Sequence, residues 1–476
     1  MAFDGQAAWR LHPQVAVRPE RFGALAYHYG SRRLTFLRSR PLAELVGRLG
    51  DYPSADAALS AFVAGPSRET HRRALASLAS GGFIEKVDAP SAAAPPPAGV
   101  APQPPGRPGV ARQLEPGLEA PICLTWELTY GCNLACIHCL SSSGRRDPAE
   151  LSREEARRVV DELAEMQVFY VNIGGGEPTI RPDFWDLVSY SVHRGVGVKF
   201  STNGTTMTAD RAAQLAATDY VDVQVSLDGA DAATNDAVRG PGSWAAARRA
   251  MDLLAEAGFT GFKISVVVTR HNADRLDELA ALADAYRAQL RLTRLRPSGR
   301  GADTWDALHP TAEQQVRLYR WLLDHPEVLT GDSFFHLSAL GEPLPGLNLC
   351  GAGRVVCLID PVGDVYACPF VLHPEFKAGS VRQPGGFRSV WLSSDLFGSL
   401  RSPRSAGACA SCGSYDACRG GCMAAKFFTG LPLDGPDPEC VHGHGEALLQ
   451  AVPAGSAPRP GPGHSVPVAL STRRRS

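Results

Sequence analysis

No sign of charge dominates this chain. Its 48 Lys and Arg residues stand against 49 Asp and Glu, for a formal net charge of -1. Nucleic acid and anionic membranes attract an excess of positive charge, so nothing global points to either as a partner. Long hydrophobic runs are missing as well. The longest apolar stretches, such as Ile264–Val268, are strand-sized, and no window reaches the ~18 apolar residues of a spanning helix. Met1–Gln6 lacks a basic stretch leading into an apolar one, so no secretory signal is expected and the chain is expected to be cytoplasmic.

Cysteine, by contrast, is plentiful, with 12 residues. In a reducing compartment, clustered thiols suggest metal or redox chemistry more than a disulfide framework. All but Cys123 fall into patterned groups; a buried strand cysteine is the default reading for that one.

The 476 residues suggest about three structural units. Residues 1–87 read as a small α+β unit. Val15–Val17, Phe22–Tyr27 and Leu34–Leu37 are strand-like; Pro41–Leu49, Ala55–Val63 and Arg68–Ser80 are helix-like, and Gly81-Gly82 closes the last of them. Residues 88–120, rich in Pro and Ala, cannot bury a core and read as a linker. In residues 121–330, strand and helix patterns alternate six times: Ile122–Leu128, Val168–Ile173, Val196–Ser201, Val221–Leu227, Lys263–Thr269 and Leu290–Leu295 are strand-like, and Ser152–Gln167, Asp183–His193, Ala209–Ala216, Trp244–Ala257 and Ala273–Arg287 are helix-like. The first of these helices opens with the capping pair Ser152 and Glu155 and carries Val159, Leu163 and Met166 on one face. The repeat predicts an α/β fold, a partial (βα)6 barrel of TIM type with chemistry at the strands' C-terminal ends. Residues 331–450 lose this rhythm and are rich in Cys, Gly and Pro; such a region needs staples that bound clusters would supply. Residues 451–476, ending Arg473-Arg474-Arg475, read as a disordered tail.

Cys132-x3-Cys136-x2-Cys139 follows the first barrel strand. Three thiolates can hold three irons of a [4Fe–4S] cluster and leave the fourth open to the amino and carboxylate groups of S-adenosylmethionine (SAM). A structural zinc site wants four closed ligands, and no fourth is near. Gly174-Gly175-Gly176-Glu177 follows the second strand, where glycines let a ligand approach the backbone; a tight turn is the plainer reading of such a run by itself. Ser201 and Asn203 end the third strand, Ser226 and Asp228 the fourth. They are either turn caps or contacts to SAM or substrate. Arg296, after the sixth strand, is either structural or a fork for a carboxylate. Further on, Cys409-x2-Cys412-x5-Cys418-x3-Cys422 and Cys440 join Cys350, Cys357 and Cys368. Eight thiols suffice for two fully ligated cubanes, or for zinc ribbons. No acid or base acting on a substrate is identifiable.

The cysteine triplet, the glycine–glutamate turn and the sixfold repeat resemble the radical SAM superfamily, and the eight later cysteines resemble its SPASM extension. The resemblance implies SAM and three [4Fe–4S] clusters. Cys132, Cys136 and Cys139 would hold the SAM-binding cluster, with Cys350, Cys357, Cys368 and Cys422 on one auxiliary cluster and Cys409, Cys412, Cys418 and Cys440 on the other. His138 stands where an aromatic is frequent, a departure that bears on adenine packing and not on the cluster. Gly174–Leu187, Leu295–Trp305, Gly331–Leu337 and Gly421–Cys440 resemble the mycofactocin radical SAM maturases, and residues 1–87 resemble the PqqD-like recognition modules, small and winged-helix-like. This implies a precursor peptide ending in Val-Tyr, its leader held by the N-terminal module. It also implies oxidative decarboxylation of the C-terminal tyrosine, Val–Tyr carbon–carbon cross-linking, and a donor such as flavodoxin or ferredoxin. The rival readings are another SPASM maturase, making thioethers or other cross-links, and an inactive zinc-stapled peptide-binding protein.

Overall fold

The computed structural model describes residues 3–63, 65–87, 114, 116–331, 333–453 and 457–458. Most of the expected linker, and the tail from residue 459, lie outside them. The chain divides into two compact units, Met1–Val100 and Ala101–Ser476.

In the first unit β1 (Trp9–Leu11) pairs antiparallel with β5 (Ile84–Lys86). Strands β2 (Val15–Glu20), β3 (Gly23–His28) and β4 (Arg33–Leu37) form an antiparallel sheet in that order. Helices α1 (Arg40–Gly47), α2 (Ala55–Phe62) and α3 (Ser67–Ser80) follow. Central strand β3 is buried along its length, and its Ala24 and Ala26 pack with Leu45, Leu59 and Leu75 of the helices. Pro19 lies on β2 at a sheet edge, where a missing N–H breaks no ladder. The β1–β5 pair was not legible, because three-residue strands carry too little alternation.

The second unit is built on a nine-stranded sheet. Its parallel strands are β6 (Cys123–Glu127), β7 (Tyr170–Gly174), β8 (Gly197–Thr202), β9 (Val221–Ser226), β10 (Lys263–Val268) and β11 (Gln289–Arg294), in sequence order across the sheet. Between them run α4 (Arg153–Glu165), α5 (Phe184–His193), α6 (Ala209–Ala216), α7 (Ala232–Arg239), α8 (Ser243–Glu256) and α9 (Leu276–Ala285). Ser152 and Glu155 form a reciprocal capping box at the start of α4. Helix α7 had escaped the sequence reading; its polar AATNDAVR segment has a short apolar face, and Asp231 caps it by accepting from Thr234 N.

Alternation along these strands sorts the residues. Val171, Ile173, Val198, Phe200, Val223, Val225, Ile264, Val266, Leu290 and Leu292 join the apolar core shared with the helices. The intervening positions, among them Thr125, Asn172, Lys199, Asp222, Ser265 and Arg291, face the other way and line the barrel interior with polar groups.

Two findings depart from expectation. The region after residue 345 does not abandon the sheet. The two-residue strand β12 (Leu358–Ile359) pairs parallel with β6, and β13 (Asp364–Tyr366) and β14 (Lys377–Ser380) extend the sheet antiparallel. The end of the proposed linker is also packed: Leu118 and Ala120 are buried, and Leu118 O accepts from Trp391 Nε1 at 2.9 Å. Among the described residues no helix is long and apolar enough to cross a membrane.

Candidate active site

The loop after β6 carries Cys132, Cys136 and Cys139. Burial pushes the Cys132 thiol up to about 12, and neighbouring Cys136, Cys139 and Glu177 add to it. Burial also raises Cys136, against the pull of Arg239. The three thiols thus lie within electrostatic reach of one another, and burial disfavours ionisation of Cys132 and Cys136, a cost that a coordinating metal would overcome.

The turn after β7 explains its glycines. At Gly176 a Cβ would fall 1.8 Å from Gly131 O, and at Gly175 (φ +111°) it would fall 2.5 Å from Thr129 O. Both glycines let the β7 loop press onto the cysteine loop, where Gly176 N and Glu177 N donate to Thr129 O and Gly131 O. Gly174, in contrast, faces open space. The buried Glu177 carboxylate accepts from Thr202 Oγ1 at 2.9 Å and Asn203 N at 2.7 Å, so it ties the β7 loop to the end of β8. Asn203 Nδ2 donates to Asn133 Oδ1 at 2.8 Å inside the cysteine loop. Ser201 accepts from Gln224 at 3.5 Å, and Ser226 faces the interior at the end of β9.

Asp228 is a buried hub. It contacts His138 Nε2 at 3.0 Å and Arg239 Nε at 2.6 Å, and it accepts from Val267 N at 2.7 Å. Burial opposes its charge, but Arg239 and His138 outweigh burial and hold it well below the usual carboxylate range. His138 thus has a partner that an aromatic could not engage. Arg300 completes the frame. Its Nε donates to Cys136 O at 2.8 Å, its Nη1 to Ser143 O at 2.9 Å and its N to Cys139 O at 2.9 Å. Sequence reasoning singled out neither Arg239 nor Arg300, because each is long-range in sequence from what it holds.

The later cysteines separate into two neighbourhoods. Burial raises Cys368, and Cys350 and Cys422 raise it further; Cys357 is raised by burial, then by Cys123, with Cys368 also contributing. Burial pushes Cys418 up to about 11, with Cys409, Cys440 and Cys412 adding to it. These last four line one small cavity together with His442 and His444. Among the described residues no three His, Cys, Asp or Glu side chains are gathered as a single metal ion would require.

Arg296 lies beside the later cysteines: its Nε donates to Cys422 Sγ at 3.4 Å and its guanidinium lies 3.6 Å from the Phe370 ring centroid. Burial opposes ionisation of Cys422, but Arg296 and Arg294 outweigh it and lower the thiol.

Glu127 ends β6 next to Asp360, which follows β12 in the same register. Burial, then the Asp360 charge, pushes Glu127 up to about 8. Its Oε2 is buried without a hydrogen-bond partner among the described residues. Asp360 is pushed up by burial to about 6 and accepts from Tyr130 Oη at 2.9 Å. A carboxyl raised from 4.5 to about 8 on folding contributes stability that is complete below its unfolded value and is lost as pH rises through the folded one. Thermal stability is therefore expected to fall between about pH 4.5 and 8, with Asp360 adding a share up to about 6. Glu127→Gln, which cannot ionise, should flatten most of that slope in calorimetry at stepped pH; an unchanged slope would refute the assignment.

The donor set fits an iron–sulfur cluster with a SAM-binding iron: three clustered thiols on one loop, with Gly174 facing open space on the loop packed against it. Comparison with known proteins agrees. The radical SAM superfamily model matches residues 126–283, and the peptide chaperone MftB family model matches residues 8–85. The chain is 69% identical over 346 residues to mycofactocin maturase MftC of Mycolicibacterium smegmatis, covering 72% of this chain and 88% of that protein. It is 65% identical over 377 residues to mycofactocin maturase MftC of Mycobacterium tuberculosis, covering 77% and 96%. In fold it is similar to Streptococcus suis SuiB bound to S-adenosylmethionine, with TM-score 0.66 and 18% identity over 91% of this chain and 99% of that one.

Proposed function

The chain belongs to the radical SAM mycofactocin maturases, fused to an N-terminal module of the MftB chaperone family, and on that premise we propose that it matures a precursor peptide at its C-terminal Val-Tyr. The observation that carries this reading is the packed pair of loops after β6 and β7, three thiols on one and Gly174 facing open space on the other.

Cys132, Cys136 and Cys139 would hold the SAM-binding cluster. SAM would lie along Gly174–Glu177 and the ends of β8 and β9, where Ser201, Asn203 and Ser226 offer polar groups. Bound there, the cluster and SAM would supply the means of removing a hydrogen atom from the substrate. The chain's own residues do the rest. Glu177 and Asn203 lock the β7, β8 and cysteine loops against one another. Asp228, with His138 and Arg239, fixes the far side of the cysteine loop. Such fixed positioning is what a hydrogen transfer between two bound groups requires.

In the proposed reaction the C-terminal tyrosine loses one β-hydrogen atom and its carboxylate as carbon dioxide, leaving one electron to be removed. Cys350, Cys357, Cys368 and Cys422 would hold one electron-accepting auxiliary cluster, and Cys409, Cys412, Cys418 and Cys440 the other. A second SAM-dependent turnover would take a hydrogen atom from valine, join that carbon to the double bond left by decarboxylation, and close the remaining radical with one proton and one electron returned from an auxiliary cluster. The N-terminal module would hold the leader at a sheet edge, raising the local substrate concentration. A reduced flavodoxin or ferredoxin would supply electrons.

The test is anaerobic incubation of the iron-loaded chain with SAM, a reductant and a precursor ending in Val-Tyr, with mass spectrometry of peptide and 5′-deoxyadenosine. A peptide lighter by one carbon dioxide and two hydrogens is the expected product. If 5′-deoxyadenosine forms while the peptide stays unchanged, the substrate assignment fails and the radical SAM assignment stands.

A further inference from the structure

Arg294 ends β11, and Arg296 follows two residues later. Both are buried, but their surroundings differ. Arg294 is ion-paired with Asp437 and with Glu439. Arg296 has no carboxylate within ion-pair distance among the described residues. The charge of Arg294 is therefore matched by carboxylates, and that of Arg296 is not. A buried cation in that state is costly unless another group carries the opposite charge.

The contacts of Arg296 point to that group. Nη1 donates to the Arg294 carbonyl at 3.0 Å, and Nε donates to Cys422 Sγ at 3.4 Å. Of these two acceptors, only the sulfur can become an anion. The guanidinium also lies over Phe370, two residues past Cys368, at 3.6 Å from the ring centroid. Arg296 thus bridges the segments that carry Cys422 and Cys368, two thiols assigned above to one auxiliary cluster.

The backbone holds it there. Gly299 (φ +54°) has no room for a side chain, since a Cβ would fall 2.4 Å from Cys139 O. At Gly301 a Cβ would fall 2.9 Å from Arg296 O and 3.3 Å from His138 O. Arg300, between them, donates to Cys136 O and Ser143 O. The loop after β11 is thus packed on the Cys132–Cys139 loop at one end and delivers Arg296 to Cys422 at the other.

We propose that Arg296 raises the reduction potential of the cluster that Cys422 would ligate, so that this cluster takes the one electron left when the substrate loses carbon dioxide. This rests on the peptide-maturase reading and deepens it. A cluster gains one negative charge on reduction. A fixed cation that donates an N–H to a ligating sulfur stabilises the reduced form more than the oxidised one. The electron balance is that of the proposed reaction: one electron leaves the substrate and one enters the cluster, while Arg296 keeps its proton throughout.

The experiment is a redox titration of the full-length, iron-loaded chain followed by EPR, with no peptide present. The signal lost in Cys350→Ala identifies the cluster concerned. In Arg296→Gln its reduction is expected to be about tenfold less favourable, a potential about 59 mV lower for one electron. The cluster of the Cys132 loop should keep its potential. Arg296→Lys, which retains the charge but not the planar fork, should fall between wild type and Arg296→Gln. An unshifted potential in an iron-loaded Arg296→Gln chain overturns the proposal and leaves the maturase reading standing. An equal shift of every cluster is a general disturbance and overturns it as well. Where Arg296→Gln fails to load this cluster, Arg296→Lys decides: a lowered potential supports the proposal, and a wild-type potential or failure to load overturns it. A wild-type chain whose later thiols hold no iron defeats the auxiliary-cluster assignment itself.

Discussion

Cys136→Ala is expected to yield a chain that keeps roughly two thirds of its iron, as loss of one of the three proposed four-iron clusters would require, and makes no detectable 5′-deoxyadenosine. The thiol sits in the middle of the loop that Arg300 holds through Cys136 O and Cys139 O. That clamp uses backbone atoms, so alanine leaves it intact and the loop should keep its course. The two later cysteine groups lie on other segments and should load independently. Iron and sulfide analysis with an assay of SAM cleavage therefore separates loss of one cluster from loss of the fold. Cleavage of SAM at wild-type rate would remove Cys136 from the ligand set. Collapse of all iron binding would show instead that the three sites fold as one.

Asp437→Ala is expected to cost about 3–5 kcal/mol, the usual penalty for stripping one partner from a buried ion pair. Arg294, at the end of β11, donates from Nη1 to Asp437 Oδ2 at 2.9 Å and is also paired with Glu439. All three are buried. Burial opposes the Asp437 charge, but Arg294 holds the carboxyl far below its ordinary range. The same carboxylate accepts from Cys422 N at 2.7 Å. The substitution thus leaves a buried guanidinium partly unpaired and frees the backbone of a proposed cluster ligand. Thermal unfolding should show the lost stability, and the EPR signal of the cluster that includes Cys422 should weaken while that of the Cys132 loop persists. Asp437→Asn, which preserves the hydrogen bond to Cys422 but not the charge, should fall between. Wild-type stability in Asp437→Ala would refute this account of how the barrel is fastened to the cysteine-rich region.

What was legible in the sequence was local. Helix α4 was readable from Ser152, Glu155 and three apolar residues on one face because a capping box and a helical period are complete within a few turns. Strands β6 to β11 were readable to within about two residues because each is a short apolar alternation followed by turn residues. Strand β12 was not. Two residues have no period, and their place beside β6 is decided by a pairing more than 200 positions away; Tyr130 and Asp360, which the pairing brings together, are 230 apart. The place of Arg296 stayed open for the same reason: a position after a strand specifies the end of the barrel it occupies, not which groups its side chain meets, and Cys422 lies 126 positions away.

The sequence by itself determined the chemistry available to this protein: three thiols at a spacing suited to one open cluster, eight more for others, and a repeat that builds a barrel to place them. Spacing, side-chain type and periodicity are properties of neighbouring residues, and they survive without a fold. Only the tertiary structure decided which charges meet. It set Asp228 between His138 and Arg239, bound Arg294 to Asp437 across 143 positions, and parted Cys422 from Cys418 although they are four residues apart. Electrostatic energy depends on distance through space and on burial, and neither is encoded in separation along the chain.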